Sequence, residues 1–275
     1  MQDARLPAMP IHYARRLTGR ARSPDADRHL GCFLAAMAGA INAIGFGVLG
    51  QYTSHMTGMV STFGERLVGG EGPAALAAGL AIAAFLCGAA CCTVMIQRAR
   101  ERGLHAEFAL PLLLESLLML ALALADLEHG GPGRLQAWVA ICTLTFAMGL
   151  QNALITKISR GEIRTTHVTG IVTDLGIECG RALTRRLGRR APPGPAGPHS
   201  RGRARLLAQL LAAFILGCIV GTVAVRRSGL STLFPVALAI AVAGLVPVLD
   251  DLRPRSRMPA DAGAAEALSK DPRAD

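Results

Sequence analysis

The sequence predicts an all-α fold: a polytopic membrane helix bundle of about six transmembrane helices, built as two inverted three-span repeats. Each repeat is expected to hold a re-entrant, half-length polar segment. Three observations lead there. Residues 73–96, 206–225 and 231–249 carry no charged side chain, and a run of about 20 such residues is what a bilayer core demands. A polar motif occurs twice, as Thr53-Ser54-His55-Met56-Thr57-Gly58 and Thr165-Thr166-His167-Val168-Thr169-Gly170, each copy preceded by Gly-x-x-Asn-Ala at Gly39–Ala43 and Gly149–Ala153. Two matched pieces in the same order at nearly the same separation indicate a duplicated unit. Finally, the arginines cluster at the ends of the apolar runs, as topology signals do.

Composition supports the class. The chain is 51% hydrophobic and 17% charged, with a formal net charge of +10. A basic chain invites a nucleic-acid reading, but aromatic side chains do not interleave with the arginines, and positive-inside signalling accounts for the charge. The seven cysteines form no paired C-x-x-C or Cys/His set, so neither a zinc site nor a disulfide framework is expected. No cofactor or metal is implied. The expected partners are the lipid bilayer and a small solute, with no nucleic acid; a homo-oligomer is compatible with the packing motifs.

In chain order, residues 1–28 carry six arginines and no apolar h-region; they are expected to form a cytoplasmic tail without a cleavable signal peptide. The first membrane repeat covers residues 29–128. Its first span is Leu30–Leu49, followed by a polar segment over Gln51–Gly70, a second span over Pro73–Ile96 and a third over Phe108–Ala125. A Gly/Pro turn at Gly130–Gly133 leads into the second repeat, residues 129–250. There the spans are Leu135–Thr156, Leu206–Val225 and Ser231–Leu249, with a polar segment over Thr165–Leu187. A linker, Gly188–Arg205, is too rich in Pro, Gly and Arg to pack. Residues 251–275 are expected to be disordered.

Whether the polar segments cross the membrane decides the topology. With eight crossings, Arg98, Arg100 and Arg102, and likewise Lys157, Arg160 and Arg164, fall on the outside. With six crossings, all of them join the N-terminal tail and the arginine-rich linker inside, which fits the positive-inside rule better. Three spans per half then invert the second half, so the two polar segments meet near the midplane, a plan that recurs in secondary transporters. Both termini are expected in the cytoplasm.

Polar, glycine-broken backbone at membrane depth persists only where protein or a wet cavity covers it. In each repeat the hydroxyls of the Thr-Ser/Thr-His-x-Thr-Gly run are placed to cap a helix, whose N-terminal N–H groups suit an anionic or polar group. The candidate solute-path residues are therefore His55, Thr57 and Gly58 with His167, Thr169 and Gly170; a plainer use of the Thr and Gly pairs is helix packing. A neutral imidazole at membrane depth relays protons or binds polar solutes. Asp174 lies two helical turns past His167 on the same face, whereas its counterpart in the first repeat is Thr62. Glu115 sits inside an apolar span, where a carboxylate costs a few kcal/mol unless it faces a cavity or a partner. Asn42, Gln151 and Asn152 serve either as solute contacts or as hydrogen bonds between spans. Gly217-Cys218-Ile219-Val220-Gly221 is a helix-packing motif. With no nucleophile elbow, nucleotide loop or clustered carboxylates, no catalytic residue is proposed and no enzyme is expected.

Gly39-Ala40-Ile41-Asn42-Ala43-Ile44-Gly45-Phe46, His55-Met56-Thr57-Gly58, Met148-Gly149-Leu150-Gln151-Asn152-Ala153 and Thr165-Thr166-His167-Val168-Thr169-Gly170 together resemble the signatures of the YoaK / DUF1275 family of bacterial integral membrane proteins. The resemblance spans roughly residues 30–250 and implies about six spans and no assigned activity. The family usually has Asp where this chain has Asn42, and Asn where it has Met59; both departures remove a polar or charged group from the first half. The expected function is a transporter or permease for a small polar or anionic solute. The competing reading is a non-transporting membrane scaffold or sensor in which the repeats only pack helices.

Overall fold

A computed structural model describes residues 24–104, 106–129, 134–159, 161, 163, 165–186 and 198–252. Among these residues the regular structure is helical throughout: α1 Pro24–Leu49, α2 Met56–Val68, α3 Gly72–Glu101, α4 Ala109–His129, α5 Arg134–Ile158, α6 Val168–Arg186, α7 Pro198–Ser228, a short 3₁₀ turn at Gly229–Thr232, and α8 Leu233–Leu252. Among the described residues, five stretches are long and apolar enough to cross a membrane. They lie in α1, α3, α4 and α5, with a fifth run of 44 residues, Gly202–Leu245, that contains α7, the turn and most of α8.

Residue choice explains where the helices stop. Gly50, with φ +70°, follows α1 in the left-handed region that glycine enters without strain. Pro73 opens α3 in its first turn, where a missing N–H costs nothing. Gly229, at φ +55°, starts the turn that separates α7 from α8. At 13 residues, α2 is only about 20 Å long, well short of a hydrocarbon core of about 30 Å.

Some expected boundaries shift. Helix α1 begins at Pro24, so Pro24–Arg28 is the start of a helix rather than part of a tail. Residues Pro198–Arg205, expected in the linker, form the first two turns of α7. The N-terminal segment to residue 23, the Gly130–Gly133 turn, residues 187–197 and the tail from Arg253 lie outside the described residues.

Packing has the same order as the recurring motif. Helix α1 packs mainly on α7 and α5 mainly on α3; α2 lies against α3 as α6 lies against α7; α4 packs on α8. Exchanging α1–α4 for α5–α8 maps this set of partners onto itself. The centre belongs to α1 and α5, each 56% buried over its most apolar stretch, against 22% for α3. Large apolar side chains on the outer faces, such as Leu86, Leu117, Ile219 and Val242, are exposed, as lipid-facing residues are. The core joins Leu34, Ile41 and Ile44 of α1 to Met148, Leu150 and Leu154 of α5.

Close glycine contacts hold the paired helices together. A Cβ on Gly39 would overlap the Phe214 carbonyl oxygen, and one on Gly217 would overlap the Ala36 carbonyl oxygen. In the other half, Gly149 meets the Phe85 carbonyl and Gly88 the Phe146 carbonyl in the same way. Backbone therefore touches backbone at both crossings, the geometry that small residues permit in membrane bundles. The Gly217-x-x-x-Gly221 motif is used here, with Gly221 set against Ala40.

These contacts also fix helix directions. Gly31 faces Leu210, Gly39 faces Phe214 and Cys218, and Gly47 faces Val225, so α1 and α7 run parallel. Ser116 Oγ donates to the Ala237 carbonyl at 2.8 Å, while Gly244 faces Ala109 and Leu113. Helices α4 and α8 therefore run antiparallel.

Candidate functional site

Each half uses an asparagine to bring its polar segment back into the bundle. After Gly50 the chain doubles back along α1, with Gln51 and Thr53 against Gly45. Asn42 Oδ1 accepts from the Ser54 N–H at 2.9 Å and from Thr53 Oγ1 at 3.1 Å, and its Nδ2 donates to Ser54 Oγ at 2.6 Å. In the second half Asn152 Oδ1 accepts from Thr166 Oγ1 at 2.7 Å, while its Nδ2 donates to the Met148 carbonyl at 2.9 Å. Ser159 adds a clamp there, receiving the Ile163 N–H at 2.9 Å. The asparagines thus set the depth at which α2 and α6 begin.

The histidines stand at those beginnings. His55 is the N-cap of α2 but makes no side-chain capping bond. For α2 this corrects the expectation that the neighbouring hydroxyls cap the helix: Thr53 and Ser54 are taken up by Asn42 instead. The His55 carbonyl accepts the first helical N–H from Met59 at 3.0 Å, and the His167 carbonyl accepts from Ile171 at 3.1 Å. In each copy the imidazole folds over the glycine three residues on. A Cβ on Gly58 would overlap the His55 ring, and one on Gly170 would lie 2.6 Å from His167 Nδ1. The His-x-x-Gly spacing is therefore steric: glycine gives the ring its seat.

Both polar segments open onto one cavity of about 990 Å³. Its wall includes repeat-related pairs: Asn42 and Asn152, Ser54 and Thr166, His55 and His167, Met56 and Val168, Thr57 and Thr169, Phe85 and Phe214. Tyr52, Thr156 and Lys157 complete the polar part of the lining. Tyr52 stacks on Phe46, with ring centroids 4.7 Å apart, and meets His55 edge-on at 6.4 Å. Lys157 carries the one fixed charge among the described lining residues. The wall thus offers hydroxyls, amides, two imidazoles and one cation between aromatic faces, a set able to hold a polar or anionic group.

Six of the eleven expected path residues line this cavity: Asn42, His55, Thr57, Asn152, His167 and Thr169. Gly58 and Gly170 lie behind the imidazoles. The remaining three sit elsewhere. Asp174 is ion-paired with Arg203 of α7 at 2.8 Å on an exposed face. Glu115 is fully buried, where it accepts from Gln151 Nε2 at 2.9 Å between α4 and α5. Met59, one of the two family departures, is buried in α2 and is not part of the wall; the other, Asn42, is.

The sequence reading missed Lys157, Phe85 and Phe214. The two phenylalanines carried a signal: Ala83-Ala84-Phe85-x-x-Gly88 is repeated as Ala212-Ala213-Phe214-x-x-Gly217, and in both copies the Gly makes the helix crossing while the Phe faces the cavity. Lys157 is one of only two lysines in the chain, and its place beside a polar cavity was not readable from spacing. A family model described as a protein of unknown function (DUF1275) matches residues 30–246. No curated protein and no solved structure matches.

Proposed function

We propose, for a chain that belongs to the DUF1275 family, that it moves a small polar or anionic solute across the membrane through the cavity shared by the two repeats, without catalysing a reaction. One observation carries this reading: both copies of the Asn and Thr-Ser/Thr-His-x-Thr motif converge on a single cavity. A motif used only for packing has no need to bring both imidazoles to a common, accessible space.

The membrane arrangement proposed with it is six spans in two inverted halves, with α2 and α6 re-entrant and both termini cytoplasmic in a bacterial inner membrane. The antiparallel run of α4 and α8 supports inversion, because halves of four crossings each would make those two helices parallel. A short connection between inverted halves requires an odd number of crossings per half, and α2 is too short to supply a fourth. The 44-residue run Gly202–Leu245 is about twice what one crossing needs, which supports two passes there. The imidazoles then lie near the midplane at the interface of the halves, where transporters with inverted repeats place their sites.

The test is flux. Wild-type protein in proteoliposomes is assayed with labelled small carboxylates, inorganic anions and neutral polar solutes. At least one solute is expected to enter saturably, and uptake should fall at least tenfold in His55→Gln and His167→Gln at unchanged abundance. Lys157→Gln should weaken anions more than neutral solutes. No uptake of any solute, together with a collapse in abundance of both histidine variants, would favour the scaffold reading instead.

A further inference from the structure

The buried Glu115–Gln151 pair lies apart from the cavity, and its hydrogen bonding is half complete. Gln151 Nε2 donates to Glu115 Oε1 at 2.9 Å. Glu115 Oε2 and Gln151 Oε1 are both buried, and neither has a partner. Both residues have zero exposure. Two acceptors left facing an apolar interface are costly, since each has given up water without a donor in return. One atom would satisfy both: a proton on Glu115 Oε2, donated to Gln151 Oε1. The carboxylic acid and the primary amide then form a reciprocal ring, each group donating once and accepting once.

We infer that Glu115 is a resident proton site, its carboxyl held in the neutral acid form by this reciprocal pair with Gln151. Around it the described charges give no alternative. Glu115 forms no ion pair with a described residue of α3, α4, α5 or α8. Its titratable neighbour on α3 is the buried thiol of Cys92. On the α8 side, Ser116 next to it is committed to the Ala237 carbonyl. Without the proton, a carboxylate would face the unpartnered Gln151 oxygen inside a buried interface.

The position gives the site consequence. Gln151 lies between Gly149, which sits on the Phe85 carbonyl, and Asn152, which holds Thr166 and with it the His167 segment. A change at the pair is thereby applied to the stretch of α5 that positions the cavity wall. Use of this proton to drive solute movement rests on the transport reading above; its presence on Glu115 does not.

The test compares infrared spectra of the full-length detergent-solubilised protein with those of Glu115→Gln, both at neutral pH in H₂O and D₂O. The wild type should show a carboxylic-acid C=O band that shifts in D₂O, is absent from Glu115→Gln and moves to higher frequency in Gln151→Leu, which removes the amide donor. Glu115→Gln rebuilds the ring as two amides, so its melting temperature should stay within about 3 °C of wild type. Glu115→Leu, which leaves the Gln151 amide without a partner, should melt lower than that. Absence of the wild-type band would overturn the assignment whether or not the protein transports anything. So would a Glu115→Gln variant as unstable as Glu115→Leu.

Discussion

At the scale of single residues, this protein is specified by what glycine leaves out. Gly39 and Gly149 are repeat mates, and each lies against a backbone carbonyl of the partner helix. A backbone atom cannot swing aside as the end of a side chain can, so an added methyl must push the helices apart. Gly39→Ala and Gly149→Ala should each cost about 1–3 kcal/mol, read as a lower melting temperature in detergent. Gly64 is the control: it lies inside α2 with open space around it, and Gly64→Ala should be neutral or stabilising by about 0.5–1 kcal/mol through better helix propensity. Equal losses at all three positions would mean that the crossings are looser than described. The glycines beneath the imidazoles follow the same logic at the cavity, where His55 and His167 keep their place only because Gly58 and Gly170 have no side chain.

At the scale of elements, the decisive ones are the helices α2 and α6. Both start at a histidine, are placed by an asparagine on the preceding long helix and pack along α3 and α7. Asp174 shows how much of such an element belongs to the site. It lies on the His167 face of α6, yet seven residues at about 1.5 Å each carry it about 10 Å along the axis, where it pairs with Arg203. That pair is exposed on both sides, so it contributes less than about 1 kcal/mol. Asp174→Asn should leave both abundance and solute uptake near wild type while His167→Gln loses uptake; a transport defect in Asp174→Asn as deep as that in His167→Gln would return Asp174 to the path.

At the scale of the whole molecule, the arrangement is one of exchange. Each half covers the other's central span, α7 on α1 and α3 on α5, so neither half completes its core alone. The proposed topology has a two-sided check. In a cysteine-free background, Val68→Cys at the end of α2 and Arg102→Cys after α3 are labelled with a membrane-impermeant thiol reagent. Arg102 is used rather than Gly103, whose φ of +67° a cysteine would adopt at a cost. Six crossings expose position 68 in intact cells and protect position 102 until lysis. Eight crossings reverse both results, and the midplane placement of the imidazoles would then fall.

The sequence by itself determined the class, the recurrence of the polar motif and the residues at the start of α2 and α6. All three are written in local terms: the transfer free energy of apolar runs, the recurrence of a motif, and the order of polar groups along a few turns. It also marked Glu115 as a carboxyl in need of cover. The tertiary structure alone decided which of these residues share a space. Gln151 meets Glu115 from another helix, so no periodicity relates them. Lys157 and the two phenylalanines reach the cavity because glycine contacts bring α3 onto α5 and α7 onto α1. Asp174, at the right angle on its helix, misses the cavity because spacing along a sequence fixes direction around a helix, while depth in the bundle is set by how the helices cross.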